Sequence, residues 1–335
     1  MRPKHPYTAF CLFAALFVFP LLMASQAVPP LTVDASSLSG AQEGGRPKPM
    51  PKPKPHPTPR PVPRVTPGRV TFAPRQPPCN AQSPTRGTGR EYSENLSGGV
   101  KLEMVEIPAG NFCMGSPDSE AGRDKNEGPQ HRVTVRSFYI GKYEVTQAQW
   151  RAVMGANPSS FRGDDRPVEN VLWNDAQEFC GKLSQMTGKE YRLPAEAEWE
   201  YACRAGTTPP FAFGANLSSA QANFNGSYPY GGAAKGVNRQ ETTPVGSFAP
   251  NNFGVYDMHG NVWEWCQDWY HENYNGAPED GQAWESVGKQ GYRVWRGGSW
   301  GVQGYDCRSA VRGFGDSPDF RGSTPGLRVV SVARS

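Results

Sequence analysis

Cysteine pairs at CxxC spacing are missing from this 335-residue chain, which removes the zinc ribbons and knuckles that such pairs build. Histidine is scarce. There are five, His5 and His56 fall near the N-terminus, and neither His131 nor His259 has a second histidine at helical spacing, so a histidine-clustered metal site is not expected. Acidic residues are nearly absent from the first ninety positions, where Asp34 and Glu43 stand against twelve Lys or Arg. The remaining 23 basic and 29 acidic residues leave the rest of the chain acidic by six, so the formal charge of +4 averages a basic arm and an acidic body. That body lacks a basic, aromatic-interleaved stretch, which argues against nucleic acid as a partner. Apolar runs are short too, apart from one that reaches from Ala9 to Met23.

That run follows Arg2, Lys4 and His5 and precedes the small residues Ala24, Ser25 and Ala27. The pattern is that of a signal peptide over residues 1–27, and predicts a protein exported to the periplasm or the extracellular space. Pro20 interrupts the run, which is shorter than the ~20 apolar residues of a spanning helix, so an uncleaved membrane anchor is the second reading. No cysteine stands at the cleavage point to take a lipid. Cleavage removes Cys11 and leaves six cysteines, enough for three disulfides in an oxidising compartment and compatible with fifteen pairings.

Residues 28–95 form a linker in which, from Arg46 to Arg64, nearly every second residue is proline. Proline fixes φ and donates no hydrogen bond, so such a run is an extended, stiff, basic spacer. Its charge could meet an anionic cell-envelope surface; reach and solubility are the plainer reading.

From residue 96 to 335 the pattern is globular. Lys101 to Ile107 alternates as a strand closed by Pro108-Ala109-Gly110, and a second strand is expected from Arg132 to Ile140. Thr146 with Gln149 reads as a capping box opening a short helix that Gly155 stops. A longer helix from Asn174 carries Ala176, Phe179, Cys180, Leu183 and Met186 at 3.6-residue spacing and ends at Thr187-Gly188. Another spans Pro194 to about Gly206, after which only short runs separated by Gly, Asn, Ser and Pro remain. The expectation is an α+β domain with low regular secondary structure, pinned by metals, disulfides or buried polar networks.

Six short motifs then appear in order: Ile107-Pro108-Ala109-Gly110 with Met114-Gly115-Ser116; Glu144-Val145-Thr146; Arg192-Leu193-Pro194 with Glu196-Ala197-Glu198-Trp199-Glu200; Gly260-Asn261-Val262-Trp263-Glu264-Trp265; Arg296-Gly297-Gly298-Ser299-Trp300; and Gly326-Leu327-Arg328. Together they resemble the formylglycine-generating, sulfatase-modifying-factor family over about 220 residues. The resemblance implies a formylglycine-generating-enzyme type fold related to C-type lectin domains. It also implies calcium, held by the side chains of Asp257 and Glu264 and the carbonyls of Gly260 and Val262; oxygen ligands from one turn suit that ion. A second implied calcium site begins at Asn223 and Phe224, with no matching acidic ligand between Lys235 and Thr242. Without metal, a carboxylate between two tryptophans still needs a cation, and an arginine such as Arg296 would then meet Glu264.

In catalytic members of the family, two cysteines five residues apart follow the Gly-Gly-Ser and bind copper(I), which soft thiolates select. Here the second matches Cys307 and the first matches Val302, which cannot ligate copper. Ser299 and Trp263 match positions beside the family's oxygen pocket. For Cys307 the roles open are residual nucleophile, lone metal ligand, buried thiol, or disulfide partner of Cys203 or Cys266, the last being the expectation for an exported protein.

Between Gly301 and Pro325 there is no Lys, Glu, Met or Trp, while Gly, Val, Tyr, Asp, Phe, Ser and Thr interleave with Cys307-Arg308-Ser309-Ala310 and Arg312. This resembles the variable region of retroelement-diversified proteins, although Gln303 does not fit the pattern. It implies a ligand-binding surface made of Val302, Gln303, Tyr305, Asp306, Phe314, Asp316 and Phe320, in which aromatic area sits beside adaptable polar contacts. Three functions therefore compete: recognition of a peptide or surface ligand through residues 301–324, copper-dependent oxidation of a protein cysteine, and a structural role in the cell envelope.

Overall fold

The computed structural model describes Cys79 and residues 89–286, 288, 291–315 and 321–332. The chain divides after Thr71, and every described residue lies beyond that point. The expected signal peptide and most of the expected linker lie outside the described residues. Among the described residues no helix is long and apolar enough to cross a membrane.

Strand β1 (Glu91–Asn95) precedes the boundary at residue 96 set by composition and pairs antiparallel with β2 (Lys101–Ile107). The alternation in β2 serves two cores. Leu102 and Met104 enter one apolar cluster and Ile107 enters another. Pro108 then breaks the strand, and β3 (Gly110–Met114) joins a separate two-stranded sheet with β4 (His131–Val135).

That break corrects the single strand expected from Arg132 to Ile140. The run divides into β4 and β5 (Phe138–Gly141), because β4 follows β3 from Val135 opposite Gly110 while β5 follows β2 from Phe138 opposite Ile107. Arg136 and Ser137 mirror the interruption that Pro108 and Ala109 impose on the partner chain.

Thr146 caps α1 (Gln147–Met154) as expected: its hydroxyl accepts from Gln149 N–H at 3.2 Å and Gln149 Oε1 accepts from Thr146 N–H at 2.9 Å. In α2 (Trp173–Thr187) the residues Ala176, Phe179, Cys180 and Leu183 are buried, and Phe179 stacks on Trp150 at 5.2 Å. Met186, expected on the same stripe, is exposed in the last turn ahead of the left-handed Gly188. Strand β6 (Tyr191–Arg192) leads into α3 (Glu196–Arg204), whose residues are all buried.

Beyond α3 the strands are β7 (Trp263–Trp269), β8 (Arg293–Arg296), β9 (Gly313–Phe314), β10 (Pro325–Gly326) and β11 (Val330–Val332). One sheet runs in the order β1-β2-β5-β11-β6 and a second in the order β10-β7-β8-β9. In the second, β10 lies parallel to β7, while β8 pairs antiparallel with Glu264 opposite Arg296. The apolar core divides into three clusters, around Phe112 and Trp199, around Phe179 and Trp265, and around Phe211 and Cys307.

Buried ion pairs bind these pieces together. Arg296 on β8 reaches Glu196 at 3.2 Å and Glu200 at 2.5 Å on α3, and Arg312 reaches Glu196 at 2.7 Å. Arg308 holds Glu120 at 2.5 Å and Glu127 at 2.7 Å, which ties the loop between β3 and β4 to the segment after β8. Such pairs gain little over apolar packing, but removing one partner leaves an uncompensated charge worth about 3–5 kcal/mol.

Candidate functional site

The segment after β8 is shaped by two glycines in the left-handed region, Gly297 at φ +97° and Gly298 at φ +81°. A Cβ on Gly298 would lie 2.6 Å from Cys307 Sγ, so only glycine lets the turn close over that sulfur. Ser299 is buried with its Oγ unpartnered, and its carbonyl accepts from Val302 N–H at 3.3 Å. The chain then forms a 3-10 turn over Gly304–Cys307, capped where Asp306 accepts from Gln303 N–H at 3.2 Å.

Cys307 points into an apolar pocket of Phe211, Leu217, Ala222 and Phe224, against which Tyr230 and Val302 also pack. Burial, and secondarily the charge of Asp306, pushes its thiol well above the ordinary range. His259 lies behind it. Its Nε2 accepts from Ala212 N–H at 3.1 Å, so its Nδ1–H donates to the Cys307 carbonyl at 2.8 Å, and burial holds the imidazole neutral with a pKa of about 4.

The expected disulfide from Cys307 is not formed. Cys180, Cys203, Cys266 and Cys307 are all free and buried, and among the described residues the bridge is Cys79–Cys113. Cys203 instead sits 3.5 Å from Ser309 Oγ and 3.7 Å from His259 Nε2, and Cys266 belongs to β7 in a different cluster. Trp263 is separated from Cys307 as well, stacking on Trp295 at 5.8 Å. Of the three matched catalytic positions, Ser299 follows the Gly298 that closes over Cys307, while Trp263 belongs to a neighbouring cluster against which Val302 also packs.

Residues 302–308 divide by exposure. Gln303 and Tyr305 are exposed, Val302 and Asp306 half-buried, and Gly304, Cys307 and Arg308 buried. Phe314 lies apart on β9, packed on Tyr270 at 4.4 Å and Tyr292 at 5.5 Å. Asp316 and Phe320 lie outside the described residues. Reading the sequence missed Phe213, Tyr228 and Val237, all exposed; Phe213 stacks on Phe211 of this pocket and the Tyr228 carbonyl accepts from Gly304 N–H. Their signal was aromatic and β-branched residues stranded in a Gly-, Asn- and Pro-rich stretch.

Glu264 meets an arginine, Arg328 in place of Arg296. Arg328 binds it through Nη2 at 2.7 Å and Nε at 2.9 Å, and Trp199 Nε1 donates to it at 2.8 Å, because Arg296 is already taken by α3. Both of its oxygens are therefore used. Asp257 differs: Oδ2 accepts from Gly246 N–H at 2.6 Å, while buried Oδ1 has no partner. Glu144 accepts from Asn261 Nδ2 at 2.7 Å and Val262 N–H at 3.1 Å. Burial, then Asp257 and Glu264, pushes Glu144 far up, and burial lifts Asp257 to about 6. Three carboxylates share one guanidinium.

The second implied calcium position carries further free oxygens. Asn223 Oδ1 and Asn238 Oδ1 are both buried without partners, on segments joined by a bridge between Asn225 and Asn238. Gly260 closes against this point, since a Cβ there would lie 2.3 Å from the Asn223 carbonyl. Among the described residues no three His, Cys, Asp or Glu side chains converge as a metal cluster. The donors on offer are instead isolated carboxylate, amide and carbonyl oxygens, whose hardness fits calcium and does not fit copper(I).

A cleft of about 860 Å³ opens elsewhere, between Arg136, Arg192, Glu198, Gln267 and Asp280. It shares no residue with the Cys307 pocket. Its polar groups are largely spent on each other, Arg192 on Glu198 at 2.6 Å and Gln177 on Gln267 at 2.5 Å.

Residues 94–333 match the sulfatase-modifying factor enzyme 1-like domain. The chain is 34% identical over 275 residues to the chaperone protein LppX of Paenibacillus barcinonensis, covering 69% of this chain and 90% of that protein. It is 32% identical over 289 residues to the formylglycine-generating enzyme of Mus musculus, covering 68% and 75%. Among solved structures, Treponema denticola variable protein 1 superposes with a TM-score of 0.61 at 28% identity, covering 72% of this chain and 99% of that one. The fold is thus α+β, of the formylglycine-generating-enzyme, C-type-lectin-like type.

Proposed function

The chain belongs to the sulfatase-modifying factor enzyme 1-like family, and from that premise we propose that it is an exported, non-oxidising member that recognises a polypeptide through the surface at Val302 to Asp306. The observation that carries this reading is the state of Cys307. Copper(I) takes two soft thiolates, whereas this pocket offers one buried thiol whose ionisation burial opposes, and Val302 packs where the family's other cysteine would stand.

Two further points support recognition. The exposed and buried residues of the segment alternate so that side chains can change at Gln303 and Tyr305 while Cys307 and Arg308 hold the turn. Relatives include a protein named a chaperone and one named a variable protein, and both names accord with binding rather than turnover. Export is supported by the N-terminal pattern and by the Cys79–Cys113 bridge, since disulfides persist in oxidising compartments. The basic proline-rich arm would act as a spacer against an anionic envelope surface. Calcium would be held by Asp257 and the Gly260 and Val262 carbonyls at one position, where it would offset the surplus of buried negative charge on Glu144, Asp257 and Glu264, and by Asn223, Asn238 and the Phe224 carbonyl at the other.

Oxygen uptake with copper and a peptide carrying the CxPxR motif tests the assignment. The expected result is no turnover above the rate of free copper, with Cys307→Ser equal to wild type. Turnover that Cys307→Ser abolishes would overturn it.

A further inference from the structure

The cleft of about 860 Å³ draws its lining from three parts of the fold. The turn between β4 and β5 supplies Arg136 and Ser137, α2 and β7 supply Gln177 and Gln267, and the connection from β7 to β8 supplies Asp280, Gln282 and Glu285. That connection is fixed at both ends. The Glu279 carbonyl accepts from Thr134 N–H at 2.8 Å, and a Cβ on Gly281 would lie 2.9 Å from the Thr134 carbonyl, so the chain is laid against β4. Further on, Trp284 N–H donates to buried Asp268 at 2.7 Å, and the Trp284 carbonyl accepts from Trp269 N–H at 3.0 Å. The cleft is thus held by the scaffold, and its volume falls within the roughly 300–1,000 Å³ of small-molecule sites.

Arg192 and Glu198 satisfy each other, but other polar groups stay open. Gln177 Nε2 donates to Gln267 Oε1 at 2.5 Å, and Gln267 Nε2 donates to Glu285 Oε1 at 3.3 Å. This relay leaves Gln177 Oε1 and Glu285 Oε2 without a partner among the described residues. Gln282 spends its Nε2 on Asp280 at 3.0 Å and keeps its Oε1 free. Arg136 and Ser137 are exposed and make no hydrogen bond or ion pair with any described residue. Half-buried Ala283 and exposed Val332 complete the accessible lining with small apolar area.

We propose that this cleft binds a neutral saccharide, whose hydroxyls meet the open oxygens of Gln177, Gln282 and Glu285 and the donors of Arg136 and Ser137, while its C–H faces lie on Ala283 and Val332. A hydroxyl both donates and accepts, and neighbouring hydroxyls of one ring can serve different partners, so a polyol suits a lining that mixes free acceptors with free donors. An apolar ligand would cover these groups and leave them unpaired. An anion would meet Asp280 and Glu285, and a cation would meet Arg136. A polypeptide needs a deep apolar anchor point, which this lining does not offer, since Val135 and Phe138 are already buried. The site is independent of the Cys307 surface, with which it shares no residue.

Calorimetry of the full chain with neutral tetrasaccharides of glucose, mannose and N-acetylglucosamine, and with an acidic one of galacturonate, tests this. At least one neutral tetrasaccharide should bind and keep its affinity within twofold in 0.5 M salt, because no ligand charge is paired. Its binding should weaken at least tenfold in Gln177→Ala and in Gln282→Ala. Alanine favours the helix at 177, so loss of binding with unchanged circular dichroism separates recognition from folding. Tyr305→Ala should bind the saccharide as wild type does, which keeps this result apart from the peptide-recognition reading. Tighter binding of the galacturonate tetrasaccharide, or of spermine, would overturn the neutral class. Wild-type affinity in both glutamine variants would overturn the assignment to this cleft, and binding of none of the four tetrasaccharides would overturn the proposal.

Discussion

Gly298 shows how a single residue constrains this site. Its φ of +81° disfavours any side chain, and an added Cβ would meet Cys307 Sγ at 2.6 Å. Gly298→Ala should therefore cost about 2–4 kcal/mol, from backbone strain and overpacking together. In a double-mutant cycle with Cys307→Ala, the overpacking part should vanish and about 1–2 kcal/mol of strain remain. Urea unfolding of the four proteins measures this, and additive losses would show that the sulfur is not what the glycine avoids. The sequence already marked this position through its Gly-Gly-Ser motif and matched Cys307 to the family's second cysteine. It did not reveal that the thiol is free, because a disulfide depends on which buried cysteines meet in space, and Cys203 turns to Ser309 and His259 instead.

Among the elements, the motifs legible in the sequence prove to be the joints of the scaffold. Glu196 and Glu200 of α3 face Arg296 and Arg312, Trp199 reaches Glu264, and Glu264 meets Arg328, so four of the six motifs close one buried network. That is why helices α1 and α2 and strand β2 could be read from periodicity while β7 could not. Glu264 and Asp268 alternate with tryptophans as if they faced water, yet both are buried, and only their distant partners make that tolerable. The exposed aromatics Phe213 and Tyr228 were hidden for the opposite reason, since they stand in turns with no period to follow. At this scale the Cys79–Cys113 bridge secures the chain entering β1 to strand β3, with a sequence separation of 34. Closing a loop of that size removes unfolded-chain entropy worth about 3–4 kcal/mol. Cys113→Ser should lower the unfolding free energy by about that amount under oxidising conditions and by nothing in reductant, measured by denaturant titration. An equal loss in both would mean that the serine disturbs β3 and that the bridge itself contributes little.

At the scale of the whole molecule, buried carboxylates among the described residues outnumber the buried arginines that neutralise them, and stability should record this as a function of pH. Burial, reinforced by Glu196, holds Asp268 at about 7, although it accepts from Glu196 N–H and Trp284 N–H at 2.7 Å each. A carboxyl whose folded pKa lies above its unfolded value lends stability that is whole below about 4 and lost as pH rises through 7. Asp257, at about 6, acts in the same direction. Glu127 and Glu196 act in the opposite one. Their arginines override burial and draw them below the ordinary range, so their contribution is present above 4.5 and lost as pH falls. The two limbs place maximum stability near pH 5. Unfolding free energy without calcium should then decline between pH 5 and pH 8, with Asp268 responsible for about 3 kcal/mol of that fall at most. Asp268→Asn should flatten the decline. On the proposed calcium site, added calcium should also reduce it in wild type and in Asp268→Asn, but less in Asp257→Asn, which lacks the charge on the unpartnered oxygen that would face the ion. Denaturant titrations at four pH values, with calcium and with chelator, give the comparison. A calcium-free protein that grows more stable toward pH 8 would show that the buried carboxylates are compensated by groups other than those identified, and a calcium response unchanged in Asp257→Asn would move the ion away from that turn.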